Sequence, residues 1–199
     1  MINYPNKKYT VQTKPKEDKS AQKARRSFSS SNRGMSLEED INITNDYYKE
    51  KDLCLITKRP TPIGIVKVDY TNGAKITDAY FEKKSTTDYN GIYKSRYIDF
   101  EAKSTRSKTS FPLANISYHQ IKHLEGVIRH GGIAFFIIEF ARYDEVYFLD
   151  AQYVIDFWQK ENRKSIPYIK VKENGTLIKK SYMPRLDYLE IINQKLSIS

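Results

Sequence analysis

The sequence has almost no cysteine and no long hydrophobic segment. Cys54 is its only cysteine, which excludes an intrachain disulfide and a cysteine-based zinc site. The N-terminal residues MINYPNKKYT contain no apolar stretch of the kind found in secretory signals. The longest apolar run, IAFFII at Ile133–Ile138, is too short to cross a membrane. These absences favour a protein of the reducing cytoplasm with no membrane partner.

Acidic residues are also in deficit, and most of that deficit lies at one end of the chain. The 199 residues include 34 Lys and Arg against 24 Asp and Glu, a formal net charge of +10 that suits a polyanionic partner. Residues 1–33 hold nine basic and two acidic side chains, so they contribute +7 of this charge. Residues 1–31 are poor in apolar side chains and are predicted to be a disordered basic tail. Residues 32–199 then suffice for a single domain.

Three roles suit the basic tail, namely contact with DNA, contact with a protein partner, and solubility. We favour DNA contact from the segment KARRSFSSSNR, because it concentrates cations that can bind phosphates. Arg33 is the main candidate within it.

The first half of the remaining chain predicts one helix followed by strands. Ser36 and Glu39 form a capping box that predicts a helix over about 37–50. Strand patterns run from 52 to about 105. Two alternating runs flank Asn72-Gly73, a strong hairpin signal, and we place this hairpin at about 58–82. By itself, the pattern is that of an ordinary edge hairpin.

The second half returns to helices and strands in alternation. Ser117 and the pair Gly131-Gly132 bound a predicted helix over about 118–130. The apolar run at Ile133–Ile138 is typical of a strand covered on both faces. A returning strand and two short helices follow, in DEVYFLDA, YVIDFWQKE and LDYLEIINQKL. The whole order predicts an α/β fold with a mixed central β-sheet flanked by helices.

Charged residues interrupt the predicted strand YIDFEAK in a regular way. Because side chains of a strand alternate between its faces, the apolar and charged residues here separate. The apolar face consists of Ile98, Phe100 and Ala102. The charged face consists of Asp99, Glu101 and Lys103. We expect Asp99 either to tune Lys103 or to pair with it, and we favour pairing.

Strand register decides whether Asp88 joins this charged face. A two-residue turn at Lys94-Ser95 would place Asp88 opposite Glu101, whereas a three-residue turn would put the two acids on opposite faces. Two interpretations then remain open. One is a solvated face with a lysine–acid ion pair worth less than about 1 kcal/mol. The other is a site for a divalent cation, which would turn the repulsion between the two acids into attraction.

His119 and His123 stand four residues apart on the second predicted helix. This spacing occurs in paired zinc ligands. The sequence has no glutamate between them and no cysteine pair to complete such a site. We therefore interpret them as two histidines on a helix surface.

Longer stretches resemble a known family. The pattern Asp88, Glu101, Lys103 resembles the metal-binding core of the PD-(D/E)xK nuclease superfamily, and five blocks are similar to its RecU-type Holliday junction resolvases. The blocks are NRGMSLEED, KRPTPIGIVKVDY, AYFEKKSTTDYNGIYKSRYIDFEAK, KTSFPLANISYHQIKH and PRLDYL. They run in the family's order from about 32 to 190.

The resemblance implies a restriction-endonuclease-like fold with a protruding β-hairpin stalk, and a homodimer that cuts four-way junction DNA symmetrically with Mg²⁺ or Mn²⁺. It implies a transition-state stabiliser at Lys103 and a supporting acidic residue on a helix at Glu38. The metal ligands that it implies are Thr86, Asp88, Glu101 and Gln120. The phosphate contacts in and beside the stalk become Lys58, Arg59, Lys67 and Lys75, in addition to Arg33.

The function expected from this resemblance is resolution of Holliday junctions in homologous recombination and DNA repair, by a bacterial or phage-encoded protein at the nucleoid. The rival is a non-catalytic accessory protein that anneals strands or modulates a recombinase or a branch-migration helicase, which the family also implies as partners. A generic restriction-like nuclease is a third option. The complete set of Asp88, Glu101 and Lys103 favours the enzyme, because a purely structural DNA binder has no use for acids that face phosphates.

Overall fold

The computed structural model describes residues 36–82 and 86–198. The predicted basic tail and Arg33 lie outside these residues. Ten strands are described: β1 (Leu55–Lys58), β2 (Ile63–Asp69), β3 (Lys75–Phe81), β4 (Tyr89–Tyr93), β5 (Arg96–Thr105), β6 (Ser110–Pro112), β7 (Ile133–Phe140), β8 (Glu145–Asp150), β9 (Ser165–Pro167) and β10 (Thr176–Leu177). The α-helices are α1 (Leu37–Glu50), α2 (Tyr118–Arg129), α3 (Ala151–Lys160), α4 (Tyr168–Asn174) and α5 (Tyr188–Ile198).

Six strands form a central sheet in the order β1-β4-β5-β7-β8-β10. Strands β5 and β7 run parallel, because α2 lies in the crossover between them, and the other neighbours are antiparallel. Strands β6 and β9 pair separately beside it. The predicted mixed sheet flanked by helices is therefore confirmed. In the described residues, no helix is both long enough and apolar enough to span a membrane.

Helices α1 and α2 begin where the sequence predicts. Ser36 is the N-cap of α1, and its hydroxyl accepts a hydrogen bond from the backbone nitrogen of Glu39. Three acidic residues in the first turn of α1 complement the positive end of the helix. Helix α2 begins after Ser117 and ends at Arg129, next to Gly131, which has a positive φ of 81°.

Each face of the central sheet carries its own hydrophobic core. On one face the sheet packs against α1 and α5, and on the other against α2 and α3. Aromatic rings line the first face across four strands, since Tyr89, Phe100, Phe135 and Phe148 stack with successive centroid distances of 4.9, 4.6 and 4.3 Å. This ladder fixes β5 in the middle of the sheet, so the charged face of β5 must look toward α2.

The register between β4 and β5 agrees with the two-residue turn. Tyr93 pairs with Arg96 and Tyr89 pairs with Phe100. Lys94 and Ser95 both have positive φ values, 47° and 60°, which is the geometry of a tight hairpin turn whose twist matches its strands. One further step along this register sets Asp88 opposite Glu101, as predicted.

Strands β2 and β3 form a two-stranded hairpin that is not part of the central sheet. Every residue of β3 is exposed. The pairing closes at Asp69 and Lys75, so Asn72 is the middle residue of a five-residue connection, and Gly73 has a φ of 94° that favours glycine. The register shifts at Lys67, which marks a bulge. The hairpin predicted around Asn72-Gly73 is thus confirmed.

Candidate active site

Glu101 is the centre of the charged face of β5. Its side chain is fully buried. Three groups surround its carboxylate: the backbone nitrogen of Asp88 at 3.1 Å from Oε2, and Gln120 Nε2 and Lys103 Nζ, each at 2.5 Å from Oε1. These contacts come from three different parts of the chain, namely the entry to β4, helix α2 and β5 itself. Glu101 therefore contacts Asp88, Gln120 and Lys103, which the sequence had already indicated as site residues.

Asp88 is fixed against β5 by its side chain and by its backbone. Its Oδ2 accepts a hydrogen bond of 3.0 Å from the backbone nitrogen of Ala102, and its carbonyl accepts one of 2.7 Å from Arg59. Together with the bond from its own nitrogen to Glu101, these contacts hold the two carboxylates as neighbours. Two acids held this close repel each other unless a cation lies between them or one is protonated.

The pKa of Glu101 is raised from 4.5 to about 7. Burial is the largest cause and the negative charge of Asp88 is the next, while Lys103 acts in the opposite direction. Because its pKa is about 7, the carboxyl of Glu101 is only partly ionised at neutral pH. A bound cation would favour the ionised form.

Thr86 adds a neutral oxygen to the site. Its Oγ1 is buried and has no hydrogen-bond partner among the residues that the structure describes. A buried oxygen without a donor is costly, and such atoms often face an ion or a water. Over the described ranges, no group of three or more His, Cys, Asp or Glu side chains is arranged to hold a metal ion. A metal here would rest on two carboxylates and on neutral oxygens, which suits a hard cation such as Mg²⁺.

Gln120 reaches the site in an orientation that the sequence does not reveal. Its Oε1 accepts a hydrogen bond of 2.9 Å from the backbone nitrogen of Ser117, where α2 begins, and its Nε2 points to Glu101. The amide thus presents a donor to the site. To act as a metal ligand through its oxygen, Gln120 would have to rotate its amide and give up the bond to Ser117.

Asp99 does not pair with Lys103, so the favoured expectation for it is wrong. Lys103 pairs with Glu101 instead. Asp99 is fully buried, and its carboxylate receives four contacts. They come from Arg59 Nη2, Tyr97 Oη and His123 Nε2, each at 2.8 Å, and from the hydroxyl of Thr87. Asp99 is thus surrounded by four other side chains, three of them from outside β5.

The structure therefore contains a second polar cluster that was not predicted from the sequence. It consists of Asp99 with Arg59, Tyr97, His123 and Thr87. The alternation of β5 shows only that Asp99 shares a face with Glu101. The position of His123, three residues after Gln120 on a helix, is the one further signal, because residues at that spacing lie on the same helix face. The interpretation of His123 as a simple surface histidine is incomplete, since its ring nitrogen contacts a buried carboxylate.

Glu38 lies on α1, and its carboxylate pairs with Lys58, with Nζ 2.6 Å from Oε2. Both side chains are about half exposed. In the described part of the chain, Glu38 makes no hydrogen bond with Asp88 or Glu101. The structure thus places this residue beside a predicted phosphate contact rather than in the carboxylate cluster.

The other predicted DNA contacts fall into two groups. Lys67 and Lys75 are exposed on the hairpin, at positions that pair across the strands with Asp78 and Asp69. Arg59 follows β1 and is held by Asp99 at a point close to the carboxylates. The hairpin lysines can meet a phosphate without rearrangement, whereas Arg59 is already engaged inside the protein.

Comparisons relate the chain to proteins of known name. A family model described as recombination protein U matches residues 32–194. The "Holliday junction resolvase RecU" of Bacillus cereus (strain B4264) is 48% identical over 198 residues, 96% of each chain. The protein of the same name from Bacillus anthracis (strain CDC 684 / NRRL 3495) matches with the same identity and coverage. Among solved structures, Archaeoglobus fulgidus Hjc, a Holliday junction resolvase, is similar with a TM-score of 0.39 and 15% identity, over 66% of this chain and 90% of that chain.

Proposed function

Because the chain belongs to the recombination protein U family, we propose that it is a Holliday junction resolvase, an endonuclease that cuts four-way DNA junctions in recombination and DNA repair. The family confirms the resemblance seen in the five sequence blocks. The observation that carries the proposal to particular residues is the contact between Asp88, Glu101 and Lys103 on one face of β5. Two adjacent acids and a lysine suit hydrolysis of a phosphodiester.

The residues that would hold a divalent cation, Mg²⁺ or Mn²⁺, are Thr86, Asp88 and Glu101, with Gln120 as a further ligand if its amide rotates. The unsatisfied hydroxyl oxygen of Thr86 and the raised pKa of Glu101 both support this assignment. When bound, the cation would offset charge on the scissile phosphate and lower the pKa of a water molecule.

Lys103 supplies a positive charge on the same face. Its side chain is about a quarter exposed, so its ammonium group is accessible from outside while Glu101 orients it. An ammonium group placed there can donate a hydrogen bond to a phosphate oxygen and stabilise the negative charge that grows in the transition state. Glu38 would act at a distance, through the position of Lys58.

Symmetric resolution needs two active sites, because two strands must be cut. One chain carries a single cluster of this kind in its described residues, so we propose that a homodimer is the active form. The hairpin lysines and the basic tail would add phosphate contacts that bind junctions without reading their sequence. A recombinase and a branch-migration helicase are proposed as further partners through the family alone.

Cleavage of a labelled synthetic four-way junction tests the proposal, with a linear duplex of the same arms as control. The variants are Asp88→Asn and, as a matched control, Asp156→Asn on the exposed part of α3. Paired symmetric nicks are expected from the wild type and from Asp156→Asn with Mg²⁺, and none with EDTA or Asp88→Asn. Tight junction binding without cuts under any metal would favour the accessory role. Equal cutting of linear duplex would favour a generic nuclease.

A further inference from the structure

We propose that Asp99 is a positioning residue of the active site, whose buried carboxylate holds the three segments that carry the metal ligands in register with one another. The proposal rests on the proposed function, since it concerns the same site. It assigns Asp99 a role different from that of its neighbour Glu101, although both lie on the same face of the same strand.

Asp99 is ionised at low cost only because its carboxylate is surrounded. A buried carboxylate is unfavourable unless donors surround it. Here one oxygen accepts from Arg59, Tyr97 and His123, and the other accepts from the hydroxyl of Thr87. Three of the contacts fall on Oδ2 and one on Oδ1, so four side chains of the protein, one of them the guanidinium of Arg59, offset the charge of Asp99 without a metal ion.

Two of these donors come from the segments that carry the proposed metal ligands. Thr87 lies between Thr86 and Asp88, so its bond to Asp99 fixes the segment that brings both of them to the site. His123 lies on α2 one turn after Gln120, so its bond fixes the helix that brings Gln120. Asp99 itself precedes Glu101 by two residues on β5. One carboxylate thus joins the entry to β4, helix α2 and strand β5.

Loss of the hydrogen bond from Thr87 to Asp99 should weaken metal binding. Metal ligands depend on the groups that orient them, and loss of such a group typically weakens metal affinity by about 10- to 100-fold. If Thr87 no longer contacts Asp99, the segment that carries Thr86 and Asp88 loses one of its anchors. Metal affinity and cleavage should fall, whereas junction binding, which relies on phosphate contacts elsewhere, should not.

Thr87→Val and Thr87→Ser form a matched pair. Thr87 is fully buried, and valine keeps its shape while removing the hydroxyl, whereas serine keeps the hydroxyl. The affinity for Mn²⁺ is measured by calorimetry on the DNA-free protein, and cleavage of a four-way junction is measured as a function of Mn²⁺ concentration. Thr87→Val should bind Mn²⁺ about tenfold or more weakly and recover cleavage at high Mn²⁺. Thr87→Ser should behave like the wild type. Junction affinity in EDTA should be the same for all three.

Wild-type Mn²⁺ affinity and cleavage in Thr87→Val would overturn the proposal, and so would equal damage in Thr87→Ser. If Thr87→Val does not fold, His123→Leu and His123→Gln decide, because glutamine can still donate to Asp99 and leucine cannot. Unchanged Mn²⁺ affinity in His123→Leu would then overturn it, and a loss confined to His123→Leu would support it. A wild type that neither binds Mn²⁺ nor cuts junctions would instead contradict the proposed function.

Discussion

The charged face of β5 and the β2–β3 hairpin depart in opposite ways from the usual pattern, in which charged side chains lie at the surface of a protein and apolar ones in its interior. On β5, two carboxylates are fully buried. On the hairpin, large apolar side chains are exposed: Ile63, Ile65, Val66, Tyr70, Ile76, Tyr80 and Phe81. Both arrangements are unfavourable for an isolated protein, because a buried charge loses its hydration and an exposed apolar cluster orders water.

The two regions differ in the kind of contact that would offset their cost. Donors surround the buried carboxylates of Asp99 and Glu101. The Thr86 hydroxyl has no partner among the described residues, and Asp88 lies against Glu101, so a cation there would complete the set. The hairpin instead leaves its apolar side chains exposed in the described part of the chain, and it also carries the two lysines proposed as phosphate contacts. Under the proposed function, the first region carries the chemistry on phosphate and the hairpin contributes to junction binding.

Asp88→Asn should separate these two regions most sharply. Loss of this carboxylate removes a ligand of the proposed metal site, so the single-turnover rate of junction cleavage should fall by about a thousandfold or more. Junction affinity in a mobility-shift assay should stay within about threefold, because the hairpin is untouched. Weak binding by a normally folded Asp88→Asn protein would contradict the assignment of junction binding to residues outside the carboxylate site.

Lys103→Ala should cause the next largest effect. Loss of one charged donor to a transition state typically costs about 100- to 1,000-fold in rate. Lys103→Arg should restore little of this, because a planar guanidinium does not replace a compact ammonium group beside Glu101. Single-turnover cleavage rates are the measurement, with Lys160→Ala on α3 as the control. Full activity in Lys103→Ala would remove Lys103 from the mechanism.

Glu101→Gln should change how the stability of the metal-free protein depends on pH. The pKa of Glu101 is about 7 in the folded protein against 4.5 ordinarily, so between these values the folded state binds more protons than the unfolded state. The free energy of unfolding therefore falls as pH rises through this window, by at most about 3 kcal/mol. Glutamine does not titrate, so the variant should lose less stability between pH 5 and pH 8. Denaturant unfolding in EDTA measures this, and parallel losses in both proteins would contradict it.

Lys67→Ala combined with Lys75→Ala should have the smallest effect, and only on the hairpin side. Each lost phosphate contact lowers the slope of log affinity against log salt by about 0.9, so the double variant should lose about two units of slope and about tenfold in affinity. The cleavage rate at saturating protein should be unchanged. Lys160→Ala with Lys170→Ala is the charge-matched control. A large fall in the saturated rate would show that the two regions are coupled.

Much of the fold follows from local rules that act over a few residues. Ser36 caps α1 as predicted, and the two-residue turn at Lys94-Ser95, one of the two turns that the sequence allows, sets the register that places Asp88 opposite Glu101. The alternation of YIDFEAK then assigns apolar and charged side chains to opposite faces, which the structure bears out. The cap and the alternation depend only on spacing along the chain and can therefore be predicted from it, whereas the choice between the two turns cannot.

The partners that each acid on that face meets depend on how distant elements pack. Asp99 and Glu101 are two residues apart and indistinguishable by alternation, yet Arg59 and His123 enclose the first, while Asp88 and Gln120 meet the second. These partners are separated from their acid by 13 to 40 residues along the chain. Which of them arrives at which carboxylate depends on how α2 and the end of β1 pack on the sheet, and no local spacing carries that information.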